Sequence, residues 1–212
     1  MNRLNREQMA ARVAQDIPEG SVVNLGIGLP TKVANYLPAD REIMLHSENG
    51  VIGMGPAPEA GAEDPDLINA GKQPVTLLDG GAFFHHADSF GMMRGGHLDI
   101  CVLGAFQVSR YGDLANWHTG DADAIPAVGG AMDLAIGAKS VYVLMELLTR
   151  DGQSKLVEKC SYPLTGVGCV SRIYTDLAVF DLKDGKVLLV DDLSGVGIAE
   201  LTRLTGMDIV AA

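Results

Sequence analysis

Short apolar runs, each followed at once by glycine or polar residues, recur along the first 150 residues and constrain the fold more than any other feature. Such runs, rich in Val, Ile and Leu, are typical of strands that are buried on both faces. They lie at residues 21–25, 42–46, 75–78, 98–103 and 141–147. Helical segments are predicted at residues 5–17, 31–37, 87–94 and 131–136. The pattern predicts an α/β fold in which helices flank a largely parallel sheet.

The pattern changes beyond residue 151. Apolar runs at 166–174, 176–182 and 186–191 are separated by short turns, and Lys183-Asp184-Gly185 is a hairpin signal. We therefore expect a more antiparallel C-terminal part, followed by a last helix within 195–205. No interior stretch is polar or proline-rich enough to divide the core, so residues 1–212 are expected to form a single domain.

Charge and cysteine content exclude several classes of function. The net charge of −11 disfavours binding to nucleic acid or to an anionic membrane. No apolar run approaches the roughly 20 residues that span a bilayer, and the first residues resemble an amphipathic helix rather than a signal peptide. The three cysteines show no metal-ligand spacing, so we expect reduced thiols in a cytoplasmic protein and no bound metal.

One tight turn is the first candidate for a catalytic site. Glu48 follows the apolar run at 42–46, and Asn49-Gly50 tolerates a left-handed backbone. Ligands of open α/β sheets gather beyond the carboxyl ends of strands, where Glu48 is expected. Position alone favours a solvated turn residue at Glu48, because strands commonly end in polar turns.

The sequence around Glu48 resembles a specific motif. Ser47-Glu48-Asn49-Gly50-Val51-Ile52-Gly53 is similar to the signature that surrounds the nucleophilic glutamate of family I CoA-transferases. Further segments resemble the B subunit of the 3-oxoacid members of that family: 23–30, 69–72, 94–99, 103–108, 113–117 and 129–134. Segments 81–90 and 116–120 resemble the members that act on a dicarboxylic 3-oxoacid. The likeness covers nearly the whole chain and implies the CoA-transferase B-subunit fold.

The resemblance implies that Glu48 attacks the thioester of succinyl-CoA and then carries coenzyme A to a 3-oxoacid. It implies no permanently bound cofactor, with coenzyme A thioesters as substrates. An oxyanion site and acyl pocket are expected from the following residues: Asn24, Gly26, Gly28, Gly104 and Ala105. Without the family match, Gly104 would be a plain strand-end glycine, Asn24 could be a strand-end cap, and Gly26-Ile27-Gly28 is a weak phosphate-loop signal.

Four cationic or imidazole side chains are further candidates. Lys72 matches a family position associated with the coenzyme A site, although a surface lysine is the alternative. His85, His86 or Arg94 could pair with the distal carboxylate of a dicarboxylic substrate. A metal site at the two histidines is disfavoured, because adjacent side chains point in different directions on regular elements.

The resemblance also implies a partner, the A subunit of a CoA-transferase, in a hetero-oligomer that is most simply A2B2. Three alternatives stay open at this stage. The acceptor could be acetoacetate or acetate, the chain could be a non-catalytic acyl-CoA binding protein, or the reaction could be hydrolysis of a coenzyme A ester.

Overall fold

The structure is a computed structural model that describes residues 2–120, 123, 125–126 and 128–212. The helices are α1 (Arg6–Asp16), α2 (His86–Arg94), α3 (Ala131–Gly137) and α4 (Ile198–Thr205), with a 3₁₀ helix at Leu29–Tyr36. The strands are β1 (Val22–Leu25), β2 (Met44–Ser47), β3 (Val51–Met54), β4 (Leu77–Phe83), β5 (Ile100–Leu103), β6 (Gln107–Ser109), β7 (Leu114–Ala115), β8 (Ser140–Leu144), β9 (Leu156–Val157), β10 (Val170–Tyr174), β11 (Val179–Lys183), β12 (Lys186–Asp191) and β13 (Ile209–Ala211).

A ten-stranded mixed sheet organises the fold, in the order β13-β12-β11-β10-β8-β5-β1-β2-β3-β4. Its centre, from β10 through β8, β5 and β1 to β2, is parallel. Antiparallel strands extend it on both sides, with β11 and β12 on one and β3 and β4 on the other. A separate three-stranded sheet has the order β7-β6-β9.

Strand β5 shows how the central strands are buried on both faces. Cys101 and Leu103 belong to one hydrophobic cluster, while Ile100 and Val102 belong to a second cluster that includes α1. Successive side chains of a strand point to opposite faces, so the two clusters lie on the two faces of the sheet. Burial on both faces explains why these strands appear in the sequence as continuous apolar runs.

The α/β class, the parallel centre and the antiparallel C-terminal part are confirmed. Two expectations need correction. The run at 75–78 overlaps only the start of β4, which pairs antiparallel with β3, so the sheet is antiparallel at this end as well. The helix expected at 31–37 is a 3₁₀ helix that begins at Leu29, with Pro30 in its first turn.

The carboxyl ends of four neighbouring strands lie at the same edge of the sheet, because these strands are parallel: β2, β1, β5 and β8. Among the helices of the described residues, none has the length and apolar character that crossing a bilayer requires.

Candidate active site

Glu48 is the first residue of a three-residue loop that joins β2 to the antiparallel strand β3. The Gly50 N–H donates to the Ser47 carbonyl at 3.0 Å, and the Gly50 carbonyl accepts from the Phe84 N–H at 3.0 Å. Gly50 has a φ of +108°, and a Cβ there would collide with the Phe84 carbonyl. Only glycine fits this position, and the turn that carries Glu48 is therefore held tightly.

A second segment fixes the same corner from another side. The Ser47 hydroxyl accepts a hydrogen bond from the Ala70 N–H at 3.0 Å. The Asn49 side chain donates to the Ile68 carbonyl at 2.8 Å. The residues on both sides of Glu48 are thus tied to the segment 68–70. Glu48 itself lines a cleft.

The half-buried Glu48 carboxylate lies against the residues that precede α3. The Gly130 N–H donates to it, and a Cβ at Gly130 would overlap its Oε2 atom. Burial raises the pKa of Glu48, and the nearby Asp133 carboxylate adds to the rise, while His86 and the Gly130 N–H oppose it. A carboxylate with a raised pKa is a better nucleophile than an ordinary glutamate, provided that it is ionised.

A buried chain of polar groups lies directly behind the corner. The Asn24 Nδ2 group donates to His46 Nδ1 at 3.0 Å and to the His46 carbonyl at 3.2 Å. His46 Nε2 then lies 2.9 Å from the Ser89 hydroxyl. Because Asn24 supplies a donor to Nδ1, the network assigns the proton of the neutral ring to Nε2. Burial lowers the pKa of His46 to about 4, so this link between β1, β2 and α2 carries no charge at neutral pH.

A cleft of about 790 Å³ opens in front of Glu48. Its volume is within the range of small-molecule binding sites. Four of the five residues predicted for the oxyanion site and acyl pocket line it: Asn24, Gly26, Gly104 and Ala105. The structure therefore brings these residues into one cleft with Glu48.

Gly28 and Asn24 are placed differently from the other residues predicted for the pocket. Gly28 precedes the 3₁₀ helix and lines a second cleft of about 420 Å³, so it does not face Glu48's cleft. The amide nitrogen of Asn24 is engaged by His46, which leaves Oδ1, an acceptor, as its only uncommitted polar atom in the described part of the chain. An acceptor does not stabilise an oxyanion, so the hydrogen bonds of Asn24 connect β1 with β2, and its contact with an acyl group stays a prediction.

The three candidates for carboxylate recognition are placed differently. His85 caps α2 by accepting the Ala87 N–H at Nδ1, over 3.1 Å. The exposed His86 ring stacks on Phe90 with centroids 4.8 Å apart, near enough to Glu48 for its charge to act there. Arg94 pairs through Nε with Asp133 at 2.6 Å. His86 is therefore the one of the three that is both near Glu48 and free of a side-chain hydrogen bond within the described residues.

Lys72 is exposed and adopts a φ of +60° in the turn that follows Asn69. The same loop supplies Ala70, which lines Glu48's cleft. Lys72 itself lines neither cleft, and its ammonium group forms no ion pair with the residues that the structure describes. It stands at the rim, beside the site rather than within it.

Sequence reasoning assigned no role to Gly130, Asp133 or His46, all of which act on Glu48 or its strand. Gly129-Gly130 directly before a helical run was a usable signal, since paired glycines at a helix start allow close approach of another group. No three His, Cys, Asp or Glu side chains in the described ranges are grouped so that they could hold a metal ion.

Known proteins resemble this chain along its whole length. Residues 6–198 match the Coenzyme A transferase family. The B subunit of 3-oxoadipate CoA-transferase from Pseudomonas putida is 64% identical over 208 residues, which cover 98% of this chain and 97% of that protein. The protein of the same name from Acinetobacter baylyi is 61% identical over 211 residues, covering 100% and 97%.

A solved structure shows the same fold at low sequence identity. The acyl-CoA transferase YdiF of Escherichia coli O157:H7 superposes with a TM-score of 0.76 at 20% identity, and the match covers 98% of this chain. The chain spans 42% of the length of that protein. With a family match over most of its length and relatives above 60% identity, the chain belongs to the coenzyme A transferase family.

Proposed function

We propose that this chain is the glutamate-bearing half of an enzyme that moves coenzyme A from succinyl-CoA to 3-oxoadipate. The observation that carries the proposal is the half-buried Glu48 carboxylate, held on a tight corner at the mouth of a cleft of about 790 Å³. The names of the relatives at 61% and 64% identity support the choice of acceptor.

The first half of the reaction loads Glu48. A carboxylate oxygen of Glu48 bonds to the thioester carbon of succinyl-CoA and expels the coenzyme A thiolate, which leaves a mixed anhydride. The thiolate then attacks the Glu48 carbonyl carbon, and the anhydride bond breaks to release succinate. The product is a thioester between Glu48 and coenzyme A.

The second half returns Glu48 to its free form. A carboxylate oxygen of 3-oxoadipate attacks the Glu48 thioester and expels the thiolate, which then attacks the substrate carbonyl of the new anhydride. 3-Oxoadipyl-CoA leaves, and Glu48 is again a carboxylate. Succinate leaves before 3-oxoadipate reacts, so the exchange is ping-pong. Each attack by an anion expels another anion, so charge balances at every step without a proton donor.

A partner and a cellular location follow from the same proposal. The relatives are named as B subunits, which supports a companion A subunit, and we propose an A2B2 assembly that closes the open side of the cleft. Lys72 at the rim is a suitable contact for a phosphate of coenzyme A. Free thiols at Cys101, Cys160 and Cys169 suit the reducing cytoplasm.

Trapping the covalent intermediate tests the proposed function. The assembled A and B chains are incubated with succinyl-CoA, treated with borohydride, digested and examined by mass spectrometry. Borohydride reduces a glutamyl thioester to an alcohol, so we expect a loss of about 14 Da on the peptide that contains Glu48. Omission of succinyl-CoA is the control and leaves the peptide unchanged. An unmodified Glu48 in an assembly that turns over would refute the covalent route.

Replacement of His86 tests how the acceptor is selected. A ring N–H of His86 that donates to the distal carboxylate of 3-oxoadipate forms a hydrogen bond to a charged group. We therefore expect His86→Gln to lower kcat/KM for 3-oxoadipate by about tenfold more than kcat/KM for acetoacetate, which lacks the second carboxylate. Steady-state rates with each acceptor give the ratio.

The neighbouring histidine provides a matched control. His85→Asn keeps a side chain able to cap α2, so it should leave the ratio of the two acceptors unchanged. Equal ratios in wild type and His86→Gln would assign recognition of the distal carboxylate to other residues.

A further inference from the structure

Neither the backbone conformation nor the packing of the chain requires a glycine at position 104. Its φ lies outside the left-handed region, and a Cβ added there would meet no heavy atom within 4 Å. Gly104 directly follows β5 and lines the cleft that Glu48 shares. A glycine needed neither for backbone conformation nor for internal packing leaves room for the close approach of a ligand to the main chain.

The peptide that joins Gly104 to Ala105 is held from one side. Asn116 Nδ2 donates to the Gly104 carbonyl at 3.1 Å. The carbonyl of Gly104 and the N–H of Ala105 belong to one trans peptide unit and point in opposite directions. The Ala105 N–H donates to no acceptor among the residues that the structure describes, so it is available to a ligand.

Asn116 is itself held in one orientation. The Thr165 hydroxyl donates to Asn116 Oδ1 at 2.6 Å and accepts the Asn116 N–H at 3.1 Å. With Oδ1 occupied by a donor, the amide must present Nδ2 to Gly104. The orientation of the Gly104–Ala105 peptide thus depends on a pair of side chains from other segments: Asn116 directly follows β7, and Thr165 lies between β9 and β10.

We propose that Asn116, locked by Thr165, is a positioning residue that keeps the Ala105 N–H aimed at the thioester oxygen. The proposal rests on the function proposed above. When Glu48 bonds to the thioester carbon, the carbonyl electrons move onto oxygen, and they return as the thiolate leaves. A fixed N–H stabilises that oxyanion more than it stabilises the ground-state carbonyl, so the hold on the peptide acts on kcat.

Asn116→Asp tests the hold with almost no change in shape. The carboxylate keeps an acceptor for Thr165 but replaces the donor to Gly104 with an oxygen that repels its carbonyl. In the assembly with the A subunit, we expect kcat to fall by about 10²- to 10³-fold while KM for succinyl-CoA changes by less than about threefold. The single-turnover rate of forming the borohydride-sensitive Glu48 adduct should fall by the same factor.

Thr165 variants keep the test decisive if Asn116→Asp does not fold. Thr165→Ser retains the hydroxyl and should act like wild type, whereas Thr165→Val is of equal size, loses both hydrogen bonds and should lower kcat by about tenfold or more. The positioning role is refuted if Thr165→Val and Thr165→Ser have equal rates, or if Asn116→Asp forms the adduct within about threefold of the wild-type rate. Either result leaves the proposed function standing. Absence of the adduct in wild type overturns the proposed function as well.

Discussion

Glu48→Gln is expected to lower the rate of CoA transfer by about 10⁴-fold or more, because the amide cannot attack a thioester as a carboxylate does. Steady-state assays with succinyl-CoA and 3-oxoadipate, and the borohydride trap, measure the loss directly. Glu146 lines the same cleft, and Glu146→Gln makes the same chemical change there, so it serves as the matched control. We expect its kcat within about threefold of wild type.

Stability separates loss of the nucleophile from loss of the fold. Burial raises the pKa of Glu48 in the folded state above its value in the unfolded state. The contribution of Glu48 to the free energy of unfolding is therefore fully present below the unfolded pKa and is lost as pH rises through the folded pKa. At neutral pH the ionised side chain therefore opposes folding, and the neutral glutamine should raise Tm slightly. A variant with an unchanged or higher Tm that still transfers coenzyme A at a hundredth of the wild-type rate or faster would assign the nucleophile elsewhere.

Gly130→Ala is expected to lower kcat by about a hundredfold through displacement of the Glu48 carboxylate. A Cβ at residue 130 would overlap Oε2, and the side chain of Glu48 can swing aside without disturbing the core. The reacting oxygen then leaves the Gly130 N–H and its alignment with the thioester. Rates of adduct formation under single-turnover conditions are the most direct measurement.

A second glycine supplies the control for Gly130→Ala. Gly91 lies within α2, and a Cβ there meets nothing within 4 Å, so Gly91→Ala should keep wild-type rates. The same change in Gly130 should leave the far-ultraviolet spectrum and the oligomeric state unaltered. Rates within about threefold of wild type for Gly130→Ala would mean that the carboxylate does not depend on this contact.

The sequence predicted the parallel centre of the sheet well, because strands buried on both faces are continuous apolar runs. No strand was predicted at β3, since residues 51–54 contain a glycine and follow an Asn-Gly turn without a separate signal. The direction of β4 depends on which strand it pairs with, and one short run carries no information on its neighbour.

The place of Glu48 in a tight turn beyond an apolar run followed from local features, whereas its role as nucleophile was predicted from the family resemblance. The residues that tune it did not, because the Gly130 contact and the Asp133 charge come from a distant segment of the chain. His46 looked like an ordinary strand residue, and its roles depend on Asn24 and Ser89, which lie on other elements. Gly28 lines the second cleft instead of the cleft of Glu48, because the 3₁₀ helix that begins at the next residue is not visible in the sequence pattern.

The arrangement of strand ends at one edge of the sheet has a consequence for how the protein is made. Glu48, Gly104 and Gly130 become neighbours of one cleft only after β1, β2, β5 and α3 have packed together. On a chain still leaving the ribosome, Glu48 is an ordinary hydrated carboxylate with no aligned partner groups. Completion of folding is therefore the step that buries Glu48, raises its pKa and places it beside the Gly130 N–H.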